Sequence, residues 1–174
     1  GRGNFRDWGK WFAMSQPVNN PAFQVRKPNA NELQMQKLFV ALQMTYVGAP
    51  MVYYGDEVGM WGANDPDDRK PMLWPDIAYE KERALPDGKL RPEAQADEVR
   101  QDQDLRAYYK KLIGIRNAHP ALQSGSYRTL LADDAHSVFA YERRLGDDVI
   151  WVILNNSEAE RTVRLPRSGF DEFE

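Results

Sequence analysis

The chain has 174 residues, 42% of them hydrophobic and 11% aromatic, with a formal net charge of −3. That much apolar surface can build a packed core and excludes a disordered chain, and the acidic balance gives no reason to expect a nucleic-acid backbone as partner. There is no cysteine, which removes disulfides and thiolate metal sites, and no window of about 18 uninterrupted apolar residues that could span a membrane.

Residues 1–30 carry no period and hold Pro17, Pro21 and Pro28 among glycines and asparagines, which reads as an extended loop. The first twelve residues, "GRGNFRDWGKWF", spread charge throughout and lack the apolar centre of a signal peptide. They also lack an initiator methionine, so the expectation is a chain that starts inside a longer protein. Arginines with Trp8 and Trp11 would allow an RNA-binding loop. A solvated loop over a few packed aromatics fits the acidic balance better.

A helix is predicted next, capped by Asn31 with Gln34 as the reciprocal partner. Met35, Leu38, Phe39, Leu42 and Tyr46 form its apolar stripe, Met35 and Met44 read as core filler, and Gly48 and Pro50 end it. "MVYYG" (51–55) reads as a short strand buried on both faces. Residues 59–101 are loop-like and charged, with a single turn at 79–83 and turn chemistry around Pro86, Asp87 and Gly88. A second helix starts near Asp102 or Asp104, carries Leu105, Tyr108, Tyr109, Leu112 and Ile115 on one face, and ends before Pro120. From Ser124 the period becomes alternating, and strands are expected at 126–131, 137–144, 148–156 and 161–166. The run "VIWVIL", apolar at every position, is expected to be a central strand. The change of period near residue 120 marks a domain boundary.

Helix, buried strand, charged loop, helix is one unit of a β/α barrel or a doubly wound sheet, where chemistry lies beyond the carboxyl ends of the strands. The stretch "GMWGANDPDDRKPMLWP" (59–75) occupies that place, with carboxylates, an arginine and two tryptophans. Charged groups suit sugar hydroxyls, and an indole suits the apolar face of a pyranose. Spacing alone leaves a sugar site and a salt-bridged loop as open alternatives.

"GAPMVYYGDEVGMWGANDPDDRKPMLW" (48–74) closely resembles the segment around the eighth barrel strand of the alpha-amylase family, in its neopullulanase and cyclomaltodextrinase branch. "YYKKLIGIRNAHPALQSG" (108–125) resembles that family's last barrel helix and its exit into a C-terminal β-sandwich. "SVFAYERR" and "VIWVILNNS" resemble strands of that sandwich. The resemblance implies an α/β fold: the last part of a (β/α)8 TIM barrel over residues 1–120, then an antiparallel β-sandwich over 121–174 that is cut short. It implies that Asp65 and Arg69 bind glucosyl hydroxyls on the non-reducing side of the cleavage point, the alternative being a loop-locking ion pair. Gly48, Pro50, Gly55 and Glu57 match the segment's other hallmarks, with Glu57 bracing neighbouring loops. Tyr54, Trp61 and Trp74 are candidates to face sugar, with core packing the alternative for each. Asp67 and Asp68 read as solvated, and His119 and His136 as residues without a partner for catalysis or metal binding.

Retaining glycosidases need two carboxyl groups about 5–5.5 Å apart. Asp56 and Glu57, adjacent on leaving a strand, point to opposite sides and cannot supply them. The family's nucleophile Asp, acid/base Glu and stabilising Asp sit after strands four, five and seven, and no segment here resembles those motifs, so no catalytic residue is assigned. A whole barrel needs about 250 residues. The expectation is a part of an endo-acting retaining α-glucan hydrolase, inactive and poorly stable by itself. A non-catalytic carbohydrate-binding or scaffold relative, or a glucanotransferase, are the alternatives. The expected partner is an α-glucan oligosaccharide or polysaccharide, with no nucleic acid and no membrane span. No cofactor or metal is assigned to these residues, calcium in the full-length enzyme being left open. A periplasmic or secreted location is expected ahead of a cytoplasmic one.

Overall fold

The computed structural model describes residues 25–63, 68–85 and 88–165. In chain order these form helix α1 (Ala30–Thr45), 3-10 turns at Asp56–Val58 and Glu93–Gln95, helices α2 (Gln103–Ala118) and α3 (Pro120–Ser124), and strands β1 (Ser126–Asp133), β2 (Val138–Leu145) and β3 (Asp148–Asn155). They fall into two compact units, one of the chain up to Leu33 with Val52–Arg106, the other of Gln34–Met51 with Ala107 onward. Among the described residues no helix is long and apolar enough to cross a membrane.

Helix α1 starts earlier than its sequence suggests. Asn29, not Asn31, is the cap: its Oδ1 accepts from the Glu32 amide at 3.0 Å, and Glu32 accepts from the Asn29 amide at 2.7 Å. A carboxylate in the first turn is a stronger acceptor than the Gln34 amide and complements the helix dipole. Arg26 grips the same carboxylate at 2.8 and 2.9 Å.

In the second unit, Leu38, Ala41 and Leu42 of α1 pack on Tyr141, Val152 and Leu154 of the sheet. The Thr45 hydroxyl lies 2.6 Å from that of Tyr141, and Tyr46 stacks edge-on against Tyr127 and Tyr141. Met44 and Val40 are buried as core, whereas Met35 and Phe39 are each 64% exposed. The expected stripe is therefore rotated, because the sheet takes the face of residues 38, 41, 42 and 45.

The three strands form one antiparallel sheet in the order β1-β2-β3, with Glu142 opposite both Arg128 and Trp151. This corrects the expected position of "VIWVIL": among the described residues it lies in β3, at the end of the strand order, where Val152 and Leu154 face the core while Trp151 and Ile153 are exposed. The central strand is β2, charged Glu142 and Arg143 included, because every charge there is bonded. Glu142 accepts from the Trp151 indole at 2.8 Å and pairs with Arg144 at 3.3 Å and Arg128 at 3.4 Å. Burial pushes its carboxyl up, but Arg144, Trp151 and Arg128 together hold it below the ordinary carboxylate value. The fourth expected strand does not form over the described residues 161–165.

Each histidine faces a single carboxylate. His119 Nδ1 is 3.0 Å from Asp148 and His136 Nδ1 is 2.7 Å from Asp133. Both pairs fasten turns. Among the described residues no group of three or more His, Asp or Glu side chains could hold a metal ion.

Over the described residues between 59 and 101 the first unit has little regular structure, as its sequence predicts. Leu73, Val58 and Leu105 are its buried anchors, and ion pairs do much of the fastening: Lys70 with Glu82 at 2.5 Å, Arg91 with Asp97 at 2.6 Å, Arg83 with Glu93 at 2.5 Å. Residues 79–83 do not make the expected turn. Glu82 is instead bridged across to Asp97, and Ala84 to Leu90 around Gly88. Asp102 caps α2, accepting from the Leu105 amide at 2.8 Å.

The expected strand at 51–55 is absent as a strand. Met51–Tyr53 is irregular, Tyr54–Gly55 is a turn, and Met51 is 75% exposed. A strand exists only by pairing its amides and carbonyls in a ladder with a neighbouring strand, and among the described residues no ladder or isolated bridge includes this segment.

Candidate substrate-binding site

The loop beyond Tyr54 is built around two glycines. Gly55 (φ 92°) and Gly59 (φ 73°) are both left-handed and bracket the 3-10 turn Asp56–Val58. At Gly55 an added Cβ would lie 2.5 Å from Met60 Sδ, so the chain can turn back on itself only without a side chain. Glu57 accepts from the Gly55 amide at 2.9 Å, which puts its carboxylate to work on the turn itself. Partial burial first, then Glu57, raises the Asp56 carboxyl. Gly48 (φ 103°) has open space around it, and its carbonyl accepts from Arg116 at 2.6 Å. Pro50 follows it in the irregular exit from α1.

The Tyr54 hydroxyl donates to the Lys70 carbonyl, 16 residues on, at 2.9 Å. That bond closes the neck of the charged loop. Arg69 lies at this neck, exposed. Asp65 and Asp67 lie outside the described residues, and Asp68 is exposed.

Trp61 is half-buried between two ammonium groups, with Lys27 and Lys70 Nζ at 5.9 and 5.6 Å from its ring centre. Its buried Nε1 has no hydrogen-bond partner. It lines a small cavity of about 40 Å³ with Met60, Pro71, Leu73 and Glu82.

Trp74 is 56% exposed, yet its backbone is fixed. Its amide donates to the Tyr79 hydroxyl at 2.7 Å, its carbonyl accepts from Ile77 at 3.3 Å, and the preceding Leu73 carbonyl accepts from Gln101 at 2.6 Å. Lys27, Lys70, Tyr79, Gln101 and Glu82 thus shape this region, and sequence reading does not single them out. Tyr79 meets the Trp74 amide 5 positions away, Gln101 the Leu73 carbonyl 28 away and Lys27 the Glu98 carbonyl 71 away, spacings that periodicity does not signal. The charge density of the segment is the only signal that could have pointed to them.

Residues 22–125 match the family model described as the alpha amylase catalytic domain. Neopullulanase 2 of Thermoactinomyces vulgaris is 37% identical over 135 residues, 76% of this chain and 19% of that protein. A cyclomaltodextrinase of a Bacillus species is 38% identical over 128 residues, 74% of this chain and 19% of its own length. Among solved structures, a cyclomaltodextrinase matches with a TM-score of 0.60 at 36% identity, covering 78% of this chain and 20% of that one. The chain therefore spans about a fifth of the relatives it matches.

Proposed function

This chain belongs to the alpha-amylase family, and on that premise we propose that it is part of a retaining glycoside hydrolase acting on α-glucans, to which it contributes substrate-binding loop residues. The observation that carries the reading is the family match over residues 22–125, which takes in the whole loop from Gly55 to Trp74. The names of its relatives, neopullulanase, cyclomaltodextrinase and amylopullulanase, point to the substrate class.

On this reading residues 1–120 complete a (β/α)8 barrel supplied by the rest of the protein, and residues 121–174 open a β-sandwich. The three-stranded sheet supports the second part. The match to the catalytic-domain family model over residues 22–125 supports the first. The nucleophile, acid/base and third carboxylate belong to that remaining portion. Asp65 and Arg69 hold glucosyl hydroxyls through charge-assisted hydrogen bonds, on a loop whose neck is closed by Tyr54.

The test is made on the whole protein. Asp65→Ala and Arg69→Ala each remove hydrogen bonds to an uncharged ligand, worth about 1.5–3 kcal/mol, so kcat/KM on maltooligosaccharides falls about 10- to 100-fold. Unchanged kcat/KM in both variants would remove these roles. Chromatography of the products separates hydrolysis from glucanosyl transfer.

A further inference from the structure

Two grooves of ≈ 490 Å³ each meet at Trp74 and Pro75. Each is within the range of small-molecule sites, about 300–1,000 Å³. Tyr54, Trp61 and Arg69 line neither. We propose that Trp74 is a stacking platform for an α-linked gluco-oligosaccharide that crosses this lip, a glucan contact in addition to Asp65 and Arg69. The identity of the sugar rests on the α-glucan reading above.

Three features carry the proposal. The first is an exposed indole on a fixed backbone. A large aromatic left in water is unfavourable, and here the chain holds it there, with Tyr79 on the Trp74 amide, Ile77 on its carbonyl and Gln101 on the Leu73 carbonyl. A platform held in place before binding loses little entropy when a ring settles on it. The second is the mixture of charges. One groove sets Lys27 and Arg100 against Asp102 and Asp104, and the other sets Glu57 against Arg106. Neither sign dominates, which disfavours an anion or a cation and suits a neutral ligand whose hydroxyls both donate and accept. The third is that Gln101 and Gln103 line both grooves, joined to each other at 3.0 Å. They place planar amides along both sides of the lip, so a chain crossing Trp74 meets the same chemistry before and after it.

The whole protein and its Trp74→Ala and Trp74→Phe variants are run in native gels containing graded soluble starch, and the dissociation constants are compared. Loss of one aromatic contact, about 0.5–1.5 kcal/mol, weakens binding about two- to thirteen-fold. Trp74→Ala shows that loss, and Trp74→Phe, which keeps a ring, recovers most of it. Starch affinity unchanged in Trp74→Ala overturns the proposal, and so does an equal loss in both variants accompanied by a lowered unfolding midpoint, which assigns Trp74 to packing. Release of reducing sugar is measured in parallel. Starch binding through Trp74 without sugar release leaves this contact standing and removes the hydrolase reading; sugar release with unaltered Trp74→Ala binding does the reverse.

Discussion

Arg116 and Arg143 converge on the end of one helix: Arg116 donates to the Met44 carbonyl at 2.8 Å and Arg143 to the next carbonyl, Thr45, at 2.9 Å. The last carbonyls of a helix have no partner within it and carry its negative dipole end. Arg116 also reaches Tyr46 and Gly48, and Arg143 reaches Leu122, Gly125 and Ser126. Arg143 is one of the most deeply buried side chains, and its guanidinium donates to four backbone carbonyl oxygens. Burial and then the nearby Arg116 lower its pKa, with Tyr141 opposing. The five donors of a guanidinium make this possible, and an ammonium cannot copy the geometry. Replacing Arg143 by Met orphans several carbonyls at once and is expected to lower the opening free energy of β2 amides by about 2–4 kcal/mol in hydrogen exchange. Arg143→Lys is expected to lose nearly as much. Retention of wild-type protection in Arg143→Met would remove the clamp from this account.

The start of α1 makes a pH prediction. Arg26 first, and the Asn29 amide second, pull the Glu32 carboxyl down to about 2 from 4.5. A depressed carboxyl stabilises the folded form above its unfolded value, so the contribution is complete above pH 4.5 and disappears as pH falls toward 2. NMR titration of the Glu32 carboxyl should show its midpoint near 2. In Glu32→Gln the protection of the first-turn amides should lose its acid dependence in that window. Asn29→Ala, which removes the other half of the box, is expected to cost about 1 kcal/mol.

These two sites show where sequence reading works and where it does not. Both long helices, the three strands and the polar loop between Gly59 and Gln101 are legible because local period and turn chemistry determine them. The cap of α1 shifts to Asn29 because Arg26 selects Glu32, a tertiary choice among near-equal caps. Apolarity suggests that β3 is central, whereas "VFAYERRL" takes the centre because partners elsewhere in the chain satisfy Glu142 and Arg143. The apolar, aromatic run at 51–55 suggests a strand, but a strand is a relation between two segments. In the candidate site Tyr54 and Trp61 stand out as aromatics in a charged loop. Their partners, the Lys70 carbonyl and the Lys27 ammonium, are set by the folded path and have no local signature.

Gly48 and Gly55 both have positive φ, yet they should respond differently to substitution. Gly48→Ala meets open space and carries only the strain of a left-handed alanine, about 1–2 kcal/mol. Gly55→Ala adds a clash with Met60, whose Cβ and Cγ lie 3.1 Å from the new atom as well as its Sδ at 2.5 Å. The Tyr54–Lys70 bond depends on this turn. Exchange of the amides at 58–60, which bond back to residues 55 and 56, should therefore rise strongly in Gly55→Ala and little in Gly48→Ala. Gly55→Ala combined with Met60→Ala should recover part of the loss. Equal effects of the two single substitutions would show that backbone conformation alone, and not close approach, selects glycine at position 55.

Asp148 joins the first residue of β3 to α3. One carboxylate oxygen accepts from the Ala121 amide at 2.9 Å and the other faces His119 Nδ1 at 3.0 Å. The Ala121 amide first, and His119 second, hold the Asp148 carboxyl below its ordinary 3.8. The contribution is therefore complete above that value and is lost as pH falls through the lower folded-state value. Exchange at Ala121, corrected for its intrinsic acid dependence, should accelerate over that acid range. Asp148→Ala should accelerate it at neutral pH, because both bonds go. Asp148→Asn keeps an oxygen for the Ala121 amide and should fall between the two. An Ala121 amide as protected in Asp148→Ala as in the parent would show that Pro120 alone, by fixing the first turn of α3, sets its geometry.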